Sequence, residues 1–421
     1  PTLRNFEPRI GLSWDPLGTA KGTISAGFGI FDVLPLPYLV QFNEVNSAPF
    51  ARQGNATTLP TGSFPDTAFS SISASPSTFR QAYFEPNPPR SYVMQWNLNL
   101  QREVAKWWGI TAAYVGARGI HQPFRVEDAD IVLPTATPDG YVWPSGGTGQ
   151  RLNMNAGRIT AGFWRSDSYF HALETKVQAK IGRAEIEASY TWGKTIDTSS
   201  ASLVGDEYTN SISSPLFFSP RLNRGLADFN VAHNLAVNYN LEFPRRWWTT
   251  FATRVLCGWR LGGVLEASTG VPFTPVIGGD ALGLKSTDPT VDVPDVLHIP
   301  GCGSLVNSGN PNNYIKKQCF AFPVPSTRLG DLGRNTLVGP GLLNFDFSLI
   351  KNTYIKKLSD AFKFQFRAEF FNVLNHSNFA PPLGNKILFD PTGHRIANAG
   401  LMTTPPNQAR HTQPREKGRG W

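Results

Sequence analysis

Several things are scarce in this 421-residue sequence, and each scarcity excludes a class of protein. Charged residues make up 17% of it, against roughly 25% in an ordinary soluble domain, yet hydrophobic residues stay at 40%. No run approaches 18 consecutive apolar residues and no heptad repeat is sustained, so a bundle of membrane-crossing helices and a coiled coil are both excluded. Three cysteines, Cys257, Cys302 and Cys319, are too few for a disulfide scaffold and show no CxxC metal spacing. The seven histidines, at 121, 171, 233, 298, 376, 394 and 411, lack HExxH or HxH spacing and read as polar surface or loop residues, with no metal site expected. The first residues, Pro1-Thr2-Leu3-Arg4-Asn5, show no basic stretch followed by an apolar one, so no secretory leader is visible.

Catalytic signatures are missing as well. There is no GxSxG, and Gly193-Lys194-Thr195 only imitates the end of a phosphate-binding loop, because Ala188 stands where that loop requires glycine. No catalytic residue and no cofactor are expected, and the chain does not read as an enzyme. A net charge of +8 raises the question of nucleic acid. The positive residues are spread singly, however, except at Arg245-Arg246, Lys316-Lys317, Lys356-Lys357 and the tail, so no nucleic-acid partner is expected. The pairs Arg245-Arg246 and Lys356-Lys357, in short turns, suit a solvated membrane-proximal rim.

What the sequence does have is turn formers and aromatics: Gly 39, Pro 34, Trp 11, Tyr 11 and Phe 29. The aromatics argue against disorder, and their setting is β. Side chains in a strand alternate between two faces, and this sequence alternates with great regularity. Met94, Trp96, Leu98 and Leu100 share one face while Gln95, Asn97, Asn99 and Gln101 share the other. Trp108, Ile110, Ala112 and Tyr114 follow, then Leu173, Val177, Ala179 and Ile181, opposed by Glu174, Lys176, Gln178 and Lys180. Ala184, Ile186, Ala188, Tyr190 and Trp192 repeat the pattern, as do the stretches around 10–14, 24–30, 235–243, 259–265, 343–349 and 362–370. Ten strands of about 7–13 residues result, long enough for the ~9–11 residues that a tilted membrane strand needs.

The connections alternate in length. Those at 15–22, 103–107, 182–184, 244–258 and 352–361 are short; those at 32–91, 118–168, 196–233, 269–342 and 372–407 are long. Connections beyond about 15 residues are uncommon in compact soluble domains, and here they occupy every second position. An antiparallel transmembrane β-barrel explains both features, since its turns are short on the periplasmic side and its loops long outside. The fold class expected is therefore all-β, a transmembrane barrel with long extracellular loops and outer-membrane lipid as its surroundings. A soluble extracellular β-sandwich, with the apolar faces packed into a core, is the alternative.

Within a barrel, three groups of residues acquire roles. Trp107, Trp108, Trp192, Trp247, Trp248 and Trp259 cluster near strand ends, where an interfacial aromatic girdle sits. Arg367 and Glu369 on the polar face of the last clear strand, with Asn372 and Asn375 after it, suit a lumen-facing polar network. Cys302 and Cys319 share one long connection and in an oxidising exterior can close a loop as a disulfide; two free thiols are the alternative, and Cys257 is left over.

Particular stretches also resemble a known family. Asn5-Phe-Glu-Pro-Arg-Ile-Gly-Leu-Ser-Trp-Asp-Pro16 followed by Gly27-Phe-Gly-Ile-Phe31, then Ser189-Tyr-Thr-Trp-Gly-Lys-Thr-Ile-Asp197, then Phe366-Arg-Ala-Glu-Phe-Phe-Asn-Val-Leu-Asn-His-Ser-Asn-Phe379 are similar to segments of Oar-like TonB-dependent receptors, which carry a carboxypeptidase-regulatory-like N-terminal domain. The resemblance implies a barrel of 22 strands in a Gram-negative-type outer membrane, of which this chain supplies about 10–11 near the C-terminal end. It implies uptake or export driven by a TonB-type energy-coupling complex acting through a plug and TonB box outside this chain, and assembly by the barrel-insertion machinery. A non-transporting structural or adhesion protein of the outer membrane is the second reading. Residues 1–421 are expected to be one domain, with 409–421 a degenerate closing strand or disordered tail: Pro414 removes a ladder donor, and Arg415 and Arg419 fall where apolar residues belong.

Overall fold

The computed structural model describes residues 5–19, 21–34, 44–51, 59–68, 70, 80–138, 140–200, 216–243, 258–286, 292–354 and 363–403. Ten strands form one continuous antiparallel meander: β1 (Arg9–Trp14), β2 (Gly22–Asp32), β3 (Tyr92–Ala105), β4 (Trp108–Val126), β5 (Ile159–Ile181), β6 (Ala184–Asp197), β7 (His233–Glu242), β8 (Trp259–Ser268), β9 (Leu342–Tyr354) and β10 (Lys363–Phe370). Each pairs with the next in chain order. Among the described residues β1 and β10 are each paired on one side only.

The register keeps most of the large apolar residues on one face, because a slip of one residue would turn a strand over. One row runs Ile10, Phe28, Trp96; another runs Leu98, Tyr114, Leu173, Trp192, His233. A third runs Ile186, Tyr239, Gly263, Phe347, Phe370. Glycines in these rows are covered by neighbouring rings: a Cβ on Gly116 would lie 2.3 Å from the Trp96 indole, and one on Gly263 2.5 Å from the Tyr239 hydroxyl.

This apolar face is not a core. Leu12 is 66% exposed and Trp192 57%, and Leu98, Leu100, Leu173 and Phe366 are likewise open. The deeply buried residues lie instead in the long connections, where Phe273, Ile315, Phe320, Leu337, Leu388 and Phe389 form the largest cluster. A second gathers Ile131, Val132, Trp143, Leu282 and Leu284. A third, Phe124, Val126, Ala129, Ala161 and Phe163, tops β4 and β5. A sandwich would place its burial between sheets; here the sheet is the exposed part and the loops the packed one, as a barrel solvated by lipid requires. Among the described residues no helix is long and apolar enough to cross a membrane.

Two features differ from the sequence reading. β4 and β5, with 19 and 23 residues, run well beyond the expected 7–13. Their pairing shifts between Gly119 and Pro123, where His121 takes a left-handed conformation (φ 52°), and this break in alternation hides the continuation from a period-two search. The long connections also carry strand pairs of their own: 272–273 with 337–338, 295–296 with 320–321, 276–277 parallel to 387–389, and 81–84 parallel to 159–162. Together they make a folded cap on the end of the sheet opposite the short turns.

Candidate functional site

The face opposite the apolar rows is mainly polar, with Val93, Val115, Val264 and Ile350 as apolar exceptions. Asn97 and Asn99 on β3 are joined by a 3.0 Å hydrogen bond, and the Asn99 amide also reaches Ser25 Oγ on β2 at 3.4 Å. On β5 and β6, Lys176 pairs with Glu187 at 3.1 Å and Lys180 with Glu185 at 2.5 Å, while the Gln178 amide donates to Glu187 at 2.7 Å. Arg260 pairs with Glu242 across β8 and β7. Solvent-screened pairs of this kind add little to stability, so their value is as a wettable surface. At the short-turn end this face forms a shallow hollow of about 590 Å³, lined in part by Gln178, Lys180, Glu187, Asn238 and Asn240.

Arg367 and Glu369 pair with each other on this face of β10. Asn372 and Asn375 do not join them. Both take left-handed conformations (φ 49° and 48°) in the turn after β10, where the Asn372 backbone N–H donates to Asp346 Oδ1 at 2.7 Å and its amide to the His376 carbonyl at 3.0 Å. The Asn375 N–H donates to the Asn372 carbonyl at 2.8 Å. The four residues thus divide into an ion pair and a turn tied to β9.

The tryptophans fall at two levels. Trp107 and Trp108 stack at 6.3 Å in the tight β3–β4 turn, and Trp259, at the start of β8, packs edge-on against Phe366 at 5.9 Å. Trp192 lies toward the other end of β6, with its ring parallel to that of His233 at 6.4 Å. Trp247, Trp248, Cys257, Arg245-Arg246, Lys356-Lys357 and 409–421 lie outside the described residues. At the upper level two histidines sit exposed on strands: Tyr114 hydrogen-bonds His171 and Tyr190 hydrogen-bonds His233, each at 2.8 Å from Oη to Nδ1. Each has its polar ring occupied by a tyrosine hydroxyl, which is how an imidazole is accommodated on an otherwise apolar face.

Buried ionic links that no local pattern signals fasten the cap to the sheet. Arg334 reaches Asp197, the last residue of β6, at 2.6 Å and Asp228 at 2.8 Å, and donates to Ser200 Oγ at 2.6 Å. Asn335 adds bonds to Asp228 and to the Leu226 carbonyl at 2.6 and 2.7 Å. Asp197 belongs to the polar face, so this link ties the cap to that side of the strand end. Arg151 similarly bridges Asp128 at 3.0 Å and Asp130 at 3.4 Å. Cys302 and Cys319 are joined in a disulfide with Cα atoms 5.5 Å apart, Cys319 being wholly buried in the largest cluster. Deep in the cap, burial pushes the Asp292 carboxyl up to about 7 even though it accepts the Leu282 N–H at 2.9 Å. At the surface, hydrogen bonds from the Thr392 hydroxyl and from the His394 and Thr392 backbone hold Asp390 down at about 2.

An exposed apolar face, a polar reverse face and a folded cap at one end define a membrane β-barrel wall. The family described as "Outer membrane beta barrel domain" matches residues 1–413, and the chain belongs to it. It is accordingly a protein of the Gram-negative outer membrane. Comparison with curated proteins finds no match. Among solved structures it is similar to the outer membrane transporter YddB of Escherichia coli, at 12% identity and TM-score 0.46, over 89% of this chain and 37% of that one. The FrpB iron transporter of Neisseria meningitidis gives 9%, 0.38, 89% and 35%, and the ferric-catecholate import receptor Fiu of E. coli K12 gives 8%, 0.36, 92% and 32%. The chain spans about a third of the length of each.

Proposed function

We propose that this chain is barrel wall from a TonB-dependent receptor of the Oar-like type, moving a substrate across the outer membrane by uptake or export and doing no covalent chemistry. The observation that carries this reading is the division of the sheet. One face suits only lipid, while the other offers amides and ion pairs to water and is overhung by a folded cap tied to it through Asp197 and Arg334. A wall that passes a solute needs a polar inner face of this kind.

In this reading residues 1–421 act as one barrel domain, with 409–421 a degenerate closing strand or disordered tail. Arg367 and Glu369 face the lumen with Asn372 and Asn375 in the turn that follows them, and Trp107, Trp108, Trp192, Trp247, Trp248 and Trp259 mark the membrane interfaces. Energy comes from a TonB-type complex acting on a region outside this chain, and the barrel-insertion machinery assembles the wall. The test is genetic. Deleting the gene, and separately the energy-coupling complex, should abolish growth on the same nutrient from a panel of metal chelates, peptides and glycans. Undiminished growth on every nutrient, together with loss of cell or surface attachment, would replace transport with adhesion.

A further inference from the structure

On the lipid-suited face, beyond the upper aromatic level, two guanidinium groups converge on one ring. Arg118 on β4 lies over Tyr169 on β5 at 5.0 Å, and Arg224, from the connection between β6 and β7, lies over the same ring at 5.5 Å. The register aligns Met94, Arg118, Tyr169 and Ile196 across four strands, with His171 and Lys194 paired two residues nearer the membrane centre. Neither arginine nor Lys194 has an ion-pair partner among the described residues, and Arg118 Nε is buried without a hydrogen bond. Asp167, further along the same face, forms no ion pair with either. A neighbouring case shows the ordinary solution: Arg90 also stacks on a tyrosine, Tyr92 at 5.1 Å, and is neutralised by Asp32 at 2.6 Å. Two like charges held on one ring without a carboxylate leave a place for an external anion.

The location says which anion. Arg118 is ten residues along β4 from Trp108, which marks the short-turn edge. At about 3.3 Å per residue and a tilt near 40° that is roughly 25 Å, the height of the apolar band of a membrane barrel. The pair therefore stands at the outer-leaflet edge of the lipid, where headgroups lie, and guanidinium forks match phosphate oxygens two at a time.

The geometry points to a site on the outer wall, built from Arg118, Tyr169 and Arg224 with Lys194 below, that binds the phosphate of an outer-leaflet lipid headgroup. It does not depend on what the barrel transports.

The test is native mass spectrometry of the protein extracted from outer membranes, titrated with a diacyl phosphatidic acid, with phosphatidylcholine of the same chains, and with inorganic phosphate. The phosphatidic acid should bind at least tenfold more tightly than phosphatidylcholine, inorganic phosphate at equal concentration should not displace it, and R118Q/R224Q should remove the preference. Arg224 is an exposed loop residue, so R224Q alone, checked by heat-modifiable gel migration, should weaken binding at least threefold even where the double variant does not assemble. Equal binding of both lipids, displacement by inorganic phosphate, or an unchanged preference in R224Q would each overturn the site.

Discussion

Replacing Arg334 with methionine tests how the cap is held to the wall. The guanidinium is 8% exposed and its partners Asp197 and Asp228 are 3% and 1% exposed, so the substitution strands two carboxylates in a dry environment. It also removes the bonds to Ser200 Oγ and to the Asn223 carbonyl. Breaking a buried pair by deleting one partner typically costs about 3–5 kcal/mol, far more than the pair's net worth. The loss is local: 225–230 and 333–338 should open while the strand ladders below stay protected. Hydrogen exchange on the folded protein in detergent reads this directly, and a loss of about 4 kcal/mol raises exchange in those segments on the order of a thousandfold. R334M/D197N/D228N, which leaves no buried charge, should recover much of the protection. Protection of 225–230 unchanged in R334M would refute the claim that this cluster anchors the cap.

Three further outcomes follow from the same picture. Val177→Arg, on the lipid-suited face midway between the two tryptophan levels, places a cation in the apolar band and should cost roughly 2–4 kcal/mol in urea unfolding from vesicles, whereas Gln178→Arg on the polar face of the same strand should cost little. Cys302→Ser/Cys319→Ser opens a link between residues 17 apart and should lower the stability of the cap by about 3 kcal/mol, read by limited proteolysis with the strands intact. Asp292 should make the cap pH-sensitive. Its folded value of about 7 exceeds its ordinary 3.8, so the folded cap holds the proton more tightly, and stability is present below about pH 4 and lost as pH rises through 7. The shift corresponds to roughly 4 kcal/mol; proteolysis should therefore be faster at pH 8 than at pH 5, and Asp292→Asn should flatten the difference.

The ten strands and their two faces were legible in the sequence because a sheet between lipid and water imposes a strict period of two, as Met94 to Leu100 against Gln95 to Gln101 shows. The upper halves of β4 and β5 were not legible, since the shift around His121 interrupts that period just where the strands leave the membrane. The cap was invisible for another reason: its core gathers Phe273, Ile315, Phe320 and Phe389 from segments with no local periodicity. Pairings such as Asp197 with Arg334, 137 residues apart, leave no short-range trace. The tyrosine partners of the exposed His171 and His233, Tyr114 and Tyr190, were not legible because they come from adjacent strands that only the register brings together.

One face of this sheet meets lipid and the other water, and β6 is where this is measured most simply. Single fluorophore-labelled cysteines placed in turn at residues 185 to 192, in a Cys257→Ser background in vesicles, can be probed with a lipid-soluble and a water-soluble quencher. Positions 186, 188, 190 and 192 should respond to the lipid quencher alone and 185, 187, 189 and 191 to the aqueous one. Uniform aqueous quenching of all eight, or burial of the even positions from both quenchers, would contradict the barrel wall.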